Sequence, residues 1–382
     1  MVITRDKTSE ILFQPAQVGN MYLKHHIVVA PVTRKRVSSD HVPYPIVLEH
    51  YAQRASTPGT LIVTEGTLIA HQAGGYAHVP GIWNNEQIAR WKEVTTRVHD
   101  KGSYMFLQLW ALGRTAIPGN PDYEPGFPYD HVSASNIPVN PNDDTAKKPR
   151  PLSVEEIQEY VGWYVIAAKN AVFLAGCDGV EVHCAGGYLI DQFLQDVSND
   201  RTDEYGGSIE NRARFALQVI DAVVQAVGAE RTGIRLSPWM TYNGMRMKDP
   251  KPTFRYLVQQ IKNAHPTLSY ISIFEPLTDG FSTRDAKDIP EGEDNDFIRE
   301  IWTQEGSSRW YIGAGGYTRT TALQIANKNP GELIAFGKLF AANPDLPYRL
   351  KHDLPLNEPD FNTLFVPNAS GPEGYTDYPF AK

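Results

Sequence analysis

A few residues carry side chains that a buried strand would not select for packing. Arg235 lies between Ile234 and Leu236 in a run that reads as a strand inside the protein. A buried guanidinium needs a partner that accepts several hydrogen bonds. Either a carboxylate supplies this, with Glu65 and Glu181 as candidates, or an anionic or electron-rich ligand ring does. Gln108 offers a donor and an acceptor together, which suits the lactam-like edge of a heterocycle and equally a satisfied core amide. His183 ends the strand-like run that begins at Gly179 and can donate to a carbonyl oxygen. Tyr188 follows five residues on, past Gly186 and Gly187, and can bring an acidic proton to the same ligand. Each of these two alone is as readily a packing residue; together they suggest a reaction site. Gly315-Gly316 and Gly337-Lys338 close two further apolar runs. Glycine lets a backbone approach a phosphate closely and lysine adds charge, although glycines also make plain tight turns.

The elements that must position these groups are short β-branched runs separated by helical stretches. Eight such runs begin at His26, Leu61, Tyr104, Gly179, Thr232, Tyr270, Tyr311 and Leu333. Several are almost continuously apolar, as strands buried on both faces should be. Helical stretches are predicted over about 87–101, 153–175, 209–227, 253–264 and 320–327, the second opened by a Ser153/Glu156 capping box. Eight strands alternating with helices predict an α/β fold, a (β/α)8 TIM barrel. The rival, a doubly wound sheet, would place a glycine-rich phosphate loop after its first strand, where this chain reads APVTRKR. In a barrel the chemistry belongs at the C-terminal strand ends. Those ends carry Pro31, Val32 and Thr33; Glu65 and Gly66; Gln108 and Trp110; His183; Arg235; Glu275; and the two glycine-bearing turns.

One domain over 1–382 is expected, with the barrel at about 20–352, a Pro- and Gly-rich insertion at about 111–150 and a tail at 353–382. The stretch ILFQPAQVGNMYL reads as a hairpin closing the barrel floor. The chain holds 36 basic and 44 acidic residues and no basic block, which argues against nucleic acid. The start lacks the apolar core of a signal peptide and no apolar run has membrane length, so a cytoplasmic protein without membrane contact is expected. Two cysteines, Cys177 and Cys184, make no disulfide framework and match no zinc spacing; no metal site is expected.

From His183, HCAGGYLIDQFLQDVSNDRTDEYGGSIENRARF resembles the old yellow enzyme family of FMN-dependent ene-reductases, including its fungal members in secondary metabolism. APVTRKR, LIVTEG with QAGGY, LQLWALGR, GIRLSP, AGGY and AFGKLFAANPDL extend the resemblance, in order, from about Leu12 to Pro379. It implies a barrel holding FMN noncovalently. Pro31, Val32, Thr33 and Gly66 would lie along the flavin, with the Thr33 hydroxyl near O4. Gln108 and Arg235 would bond the pyrimidine edge, and Gly315, Gly316, Gly337 and Lys338 the phosphate. It implies reduction of the C=C bond of an α,β-unsaturated aldehyde or ketone: NADPH reduces the flavin, N5 returns the hydride, and Tyr188 gives the proton. His183 would bind the carbonyl oxygen, with Gly186, Trp110 and Phe365 lining the substrate's space. The partner is then a small enone or enal, and the protein a monomer or homodimer.

Three positions depart from the family's pattern. Gly186 stands where a second side-chain donor, Asn or His, is usual; Lys338 replaces Arg; Phe365 replaces Tyr. The first leaves a redox-neutral or oxidative reaction, such as isomerisation, dehydrogenation or cyclisation, as the alternative.

Overall fold

The eight apolar runs form eight parallel strands in a computed structural model that describes residues 10–280, 282–303 and 309–381. They are β1 (Ile27–Val29), β2 (Leu61–Val63), β3 (Tyr104–Trp110), β4 (Gly179–Cys184), β5 (Thr232–Leu236), β6 (Tyr270–Phe274), β7 (Trp310–Ala314) and β8 (Glu332–Phe336). Each pairs with the next, and β8 pairs with β1, so the sheet closes into a (β/α)8 barrel. Burial on both faces explains why several strands read as almost continuous apolar runs rather than alternating ones. Register brings the polar exceptions together. Gln108 lies beside Glu181, and Arg235 lies between His183 and Ser272.

The predicted helices are present. They include α1 (Ile46–Arg54), α2 (Asn85–His99), α3 (Val154–Lys169), α4 (Ile209–Val227), α5 (Lys251–Ala264), α6 (Asp296–Trp302), α7 (Arg319–Lys328) and α8 (Leu346–His352). Ser153 and Glu156 make the expected capping box, and a π-helical turn at Asn170–Leu174 carries α3 to the predicted end. These helices bury their apolar stripes against the outside of the barrel, in one cluster with Trp91, Tyr164 and Phe215.

The hairpin Ala16–Val18/Met21–Leu23 packs Val18, Met21 and Leu23 against the inward residues Phe106, Tyr270 and Leu333. This seals the floor and leaves the opposite end for the site. There the 111–150 insertion is tied down by Arg114, whose guanidinium donates to the carbonyls of Ile137, Pro138, Asn243 and Gly244. The tail returns to the top: Arg34 donates to the carbonyls of Leu364 and Gly374, and Tyr375 stacks on His50 at 3.9 Å. Among the described residues no helix is long and apolar enough to cross a membrane.

Candidate active site

A cavity of about 440 Å³ opens at the C-terminal ends of the strands. Pro31, Val32 and Thr33 after β1 and Gly66 after β2 form part of its wall. Gln108, Trp110, His183, Gly186, Tyr188 and Arg235 line it as well, and so do Gly315, Gly316, Gly337 and Lys338. Phe365 is the exception among the expected residues. The tail forms a short helix, Phe361–Leu364, and it is Phe361 on this helix, with Glu358 and Pro359 before it, that lines the cavity; Phe365 caps the helix end.

The polar groups on the walls form a linked set. Gln108 Nε2 donates to Glu181 Oε1 at 2.7 Å, and Glu181 is fully buried. Burial raises the Glu181 carboxyl above its usual range, and Arg235 and Gln108 oppose that shift. Arg235 Nη1 donates to Ser272 Oγ at 3.2 Å, and its guanidinium lies 4.0 Å from the Phe274 ring centre. Of the two carboxylates considered for Arg235, Glu181 is the one whose charge it feels. Glu65 instead accepts from the Arg34 amide, and Glu275 is held by Arg299 and Tyr311; neither lines the cavity.

The wall that carries His183 and Tyr188 is built by the turn after β4. Gly186 and Gly187 have φ of 64° and 76°, a left-handed conformation that glycine enters without cost. A Cβ on Gly187 would lie 2.6 Å from Asn243 Cβ, so only glycine fits. The chain reverses there and Tyr188 heads the short helix Leu189–Leu194. Ser237 Oγ accepts from the Gly186 amide at 2.7 Å, Asn243 Nδ2 donates to the Gly186 carbonyl at 2.8 Å, and Asp191 Oδ2 accepts from the Gly187 amide at 2.9 Å. Gln192 Nε2 donates to the carbonyls of Gly187 and Leu112, fastening the turn to the insertion. Asn243 sits at φ 59° in the loop after β5 and belongs to no motif, so only the folded chain shows its part.

His183, Trp110 and Tyr188 form an aromatic corner. Tyr188 meets Trp110 edge-on at 4.8 Å and His183 at 5.0 Å. Burial, helped by the Arg235 charge, pushes His183 down to about 3, so the imidazole is neutral near pH 7. Burial raises the Tyr188 phenol well above its ordinary value, with Tyr76 and Tyr242 adding to the shift and Asn243 opposing it. The corner therefore presents a neutral imidazole beside a fully protonated phenol.

Another part of the cavity wall is a glycine cradle. Gly315 and Gly316 have φ of 117° and 73°, and a Cβ on Gly315 would overlap the Thr278 hydroxyl. Lys338 Nζ donates to Thr283 Oγ1 at 3.2 Å beside it. Three buried polar atoms of the cavity-lining residues, His183 Nδ1, Trp110 Nε1 and Thr278 Oγ1, have no hydrogen-bond partner among the described residues. Such atoms, a guanidinium–amide pair and a glycine cradle fit a bound group with a polar ring edge and a phosphate.

A barrel with this donor set at its C-terminal mouth fits a flavin-binding oxidoreductase. Residues 11–357 match the NADH:flavin oxidoreductase / NADH oxidase family, and the chain belongs to it as an old yellow enzyme, an FMN flavoprotein. It is 48% identical over 373 residues to chanoclavine-I aldehyde reductase fgaOx3 of Penicillium roqueforti, covering 97% of this chain and 96% of the relative. It is 43% identical over 378 residues to a probable inactive reductase, easA, of Epichloe festucae var. lolii, covering 97% and 95%. The old yellow enzyme of Pichia sp. AKU4542 superposes with a TM-score of 0.86 at 36% identity, over 97% of this chain and 94% of that one.

Proposed function

We propose that the protein is an NADPH-dependent ene-reductase that saturates the C=C bond of a small α,β-unsaturated aldehyde or ketone in fungal secondary metabolism. It would hold FMN noncovalently and work in the cytoplasm as a monomer or homodimer. The observation that carries the reading is the pairing of neutral His183 with protonated Tyr188, ring centres 5.0 Å apart, on the wall of one cavity. The names of relatives, chanoclavine-I aldehyde reductase and aldehyde reductase FrzD, favour an aldehyde.

The residues divide the work. Arg235 and Gln108 would hold the polar ring edge of FMN, and the cradle from Gly315 to Lys338 its phosphate. When bound, the flavin would supply the two-electron redox chemistry that links a reduced nicotinamide to the alkene. His183 donates a hydrogen bond to the substrate's carbonyl oxygen, so that negative charge can build there. Tyr188 supplies the proton that completes the saturated product. Pro31, Val32, Thr33 and Gly66 shape the flavin side of the cavity, and Trp110 and the open space at Gly186 shape the substrate side.

The second reading is a redox-neutral or oxidative reaction. It is favoured by Gly186, which gives the carbonyl oxygen no second side-chain donor; losing one such donor costs about 10²–10³ in rate. The deciding experiment reduces the purified yellow protein with NADPH without oxygen, then adds a cyclic enone or a simple enal. Rapid return of flavin absorbance establishes the ene-reductase. Reduction without return rejects that activity for these substrates and favours the second reading.

A further inference from the structure

Away from the flavin cavity, three loops bring two histidines and a carboxylate together. His41 follows β1, His71 follows β2, and Glu124 lies in the insertion after β3. Their ligand atoms all lie within 4.8 Å of one another. Glu124 Oε2 is 3.2 Å from His41 Nε2, and Glu124 Oε1 is 3.0 Å from His71 Nε2.

The tautomer of His41 is fixed by its other nitrogen. Nδ1 lies 2.7 Å from the Val79 carbonyl, which can only accept, so Nδ1 carries the proton. In the neutral ring the Nε2 lone pair then points at a carboxylate oxygen. Two acceptors facing each other need a cation between them, either a second proton on the ring or a metal ion. Zinc is bound by imidazole nitrogen and carboxylate oxygen at about 2.0–2.2 Å, which puts adjacent tetrahedral ligands roughly 3.3 Å apart. The two N···O distances, each to a different oxygen of the Glu124 carboxylate, lie near that edge, so a small shift of either side chain would let one ion be shared. The Nδ1–H to carbonyl bond is the outer support that metal-binding histidines use.

The surroundings favour a built site. His41 holds a left-handed backbone at φ 60°, uncommon for a residue with a side chain. His71 stacks on Trp83 at 5.7 Å, with the Phe127 and Tyr129 rings edge-on at 5.4 and 5.3 Å. The His41 side chain is 3% exposed and that of His71 30%, so an ion can enter past His71 and be held against His41.

We infer that His41, His71 and Glu124 form a binding site for a divalent transition metal ion such as zinc, completed by water. Its place suggests a structural clamp. Glu124 is next to Tyr123, whose backbone bridges to Tyr76, and Asp122 pairs with Lys35. The Tyr76 ring meets Trp110 of the reaction corner at 6.0 Å. An ion at the clamp would fasten the insertion to the barrel at the edge of the active site.

The test uses the FMN-loaded protein, stripped with a chelator and dialysed. Zinc uptake is followed by elemental analysis and calorimetry, and cobalt(II) is added as a spectroscopic probe. The expected result is one tightly held zinc per chain, a raised melting temperature, and cobalt d–d bands more intense than those of the hydrated ion. Glu124→Gln, which keeps the side chain's shape, and His71→Ala, at the rim, should each weaken zinc binding by roughly ten- to hundredfold or more while flavin content stays unchanged. No saturable zinc uptake by the unaltered protein, or cobalt with only its aqueous spectrum, overturns the site and leaves a protonated histidine as the cation. Uptake that is unaffected by both substitutions also overturns it, by placing the ion elsewhere.

Discussion

The His183 and Tyr188 rings meet edge-to-face, centres 5.0 Å apart and planes inclined at 67°. The two side chains can thus serve one substrate from adjoining parts of a wall, His183 on the oxygen and Tyr188 on a carbon. Tyr188→Phe keeps the ring and its packing on Trp110 but removes the proton. Reduction of the enone or enal by reduced flavin should slow by about 10²–10⁴-fold, while flavin reduction by NADPH stays near normal. Stopped-flow traces of the two half-reactions separate the effects. Equal loss in both would remove Tyr188 from the role of proton donor.

The same two residues set a pH expectation. His183 is lowered to about 3 and stays neutral above that value; Tyr188 is raised well above its ordinary value and stays protonated below it. Neither titrates near neutrality, so the alkene-reducing half-reaction should be flat from about pH 5 to 9. A plot of its rate against pH checks this. An inflection inside that window that vanishes in Tyr188→Phe would mean the phenol ionises there and the burial argument is wrong.

Gly186 is where a side-chain donor can be restored. A Cβ there would lie 3.4 Å from Tyr188 Cε2, an ordinary contact, but the φ of 64° favours glycine. Asparagine tolerates left-handed backbone better than most residues. Gly186→Asn should therefore fold, at a cost of about 1–2 kcal/mol. It should tighten binding of simple phenols and speed reduction of small enones by up to about 10²-fold. Spectral titration with a phenol and the enone half-reaction measure both. No change in either would show that the donor absent at this position does not limit the reaction.

Much of this architecture was legible in the sequence because burial writes itself into composition. Several strands covered on both faces are almost continuous apolar runs, so Arg235 and Gln108 stood out against Ile234, Leu236, Leu107 and Leu109. The helix starts were legible through Ser153 and its capping partner Glu156. What was not legible depends on contacts between loops distant in sequence. Asn243 reaches the Gly186 carbonyl across 57 positions, and no spacing foretells it. Phe361 rather than Phe365 lines the mouth because the tail coils into a helix of four residues, too short to leave a periodic pattern. His41, His71 and Glu124 come from three separate loops, so no spacing in the sequence marks the cluster that the fold brings together.

The cradle can be tested without any substrate. Gly315 needs its φ of 117°, and a methyl group there would run into the Thr278 hydroxyl. Gly315→Ala should displace the backbone at the proposed phosphate end and weaken FMN binding while the barrel strands stay folded. The flavin-to-protein absorbance ratio after purification should fall, with circular dichroism unchanged. Full flavin occupancy in this variant would mean that the phosphate is held elsewhere.

Arg235 and Glu181 answer the question of whether the buried guanidinium serves a ligand or only a carboxylate. Both are almost wholly buried, Arg235 3% exposed and Glu181 0%. Removing one of two interacting buried charges leaves the other uncompensated, at a cost of about 3–5 kcal/mol. Arg235→Met alone should therefore lower stability and flavin affinity together. Adding Glu181→Gln removes the stranded carboxylate while its amide oxygen can still accept from Gln108. The double variant should regain most of the stability. If Arg235 bonds the flavin, the double variant should still bind FMN weakly; if it only balances Glu181, FMN affinity should return with stability. Denaturant unfolding of the flavin-free proteins, read beside FMN titration of each, separates the two roles. Recovery of FMN affinity to the level of the unaltered protein would reduce Arg235 to a structural counter-ion.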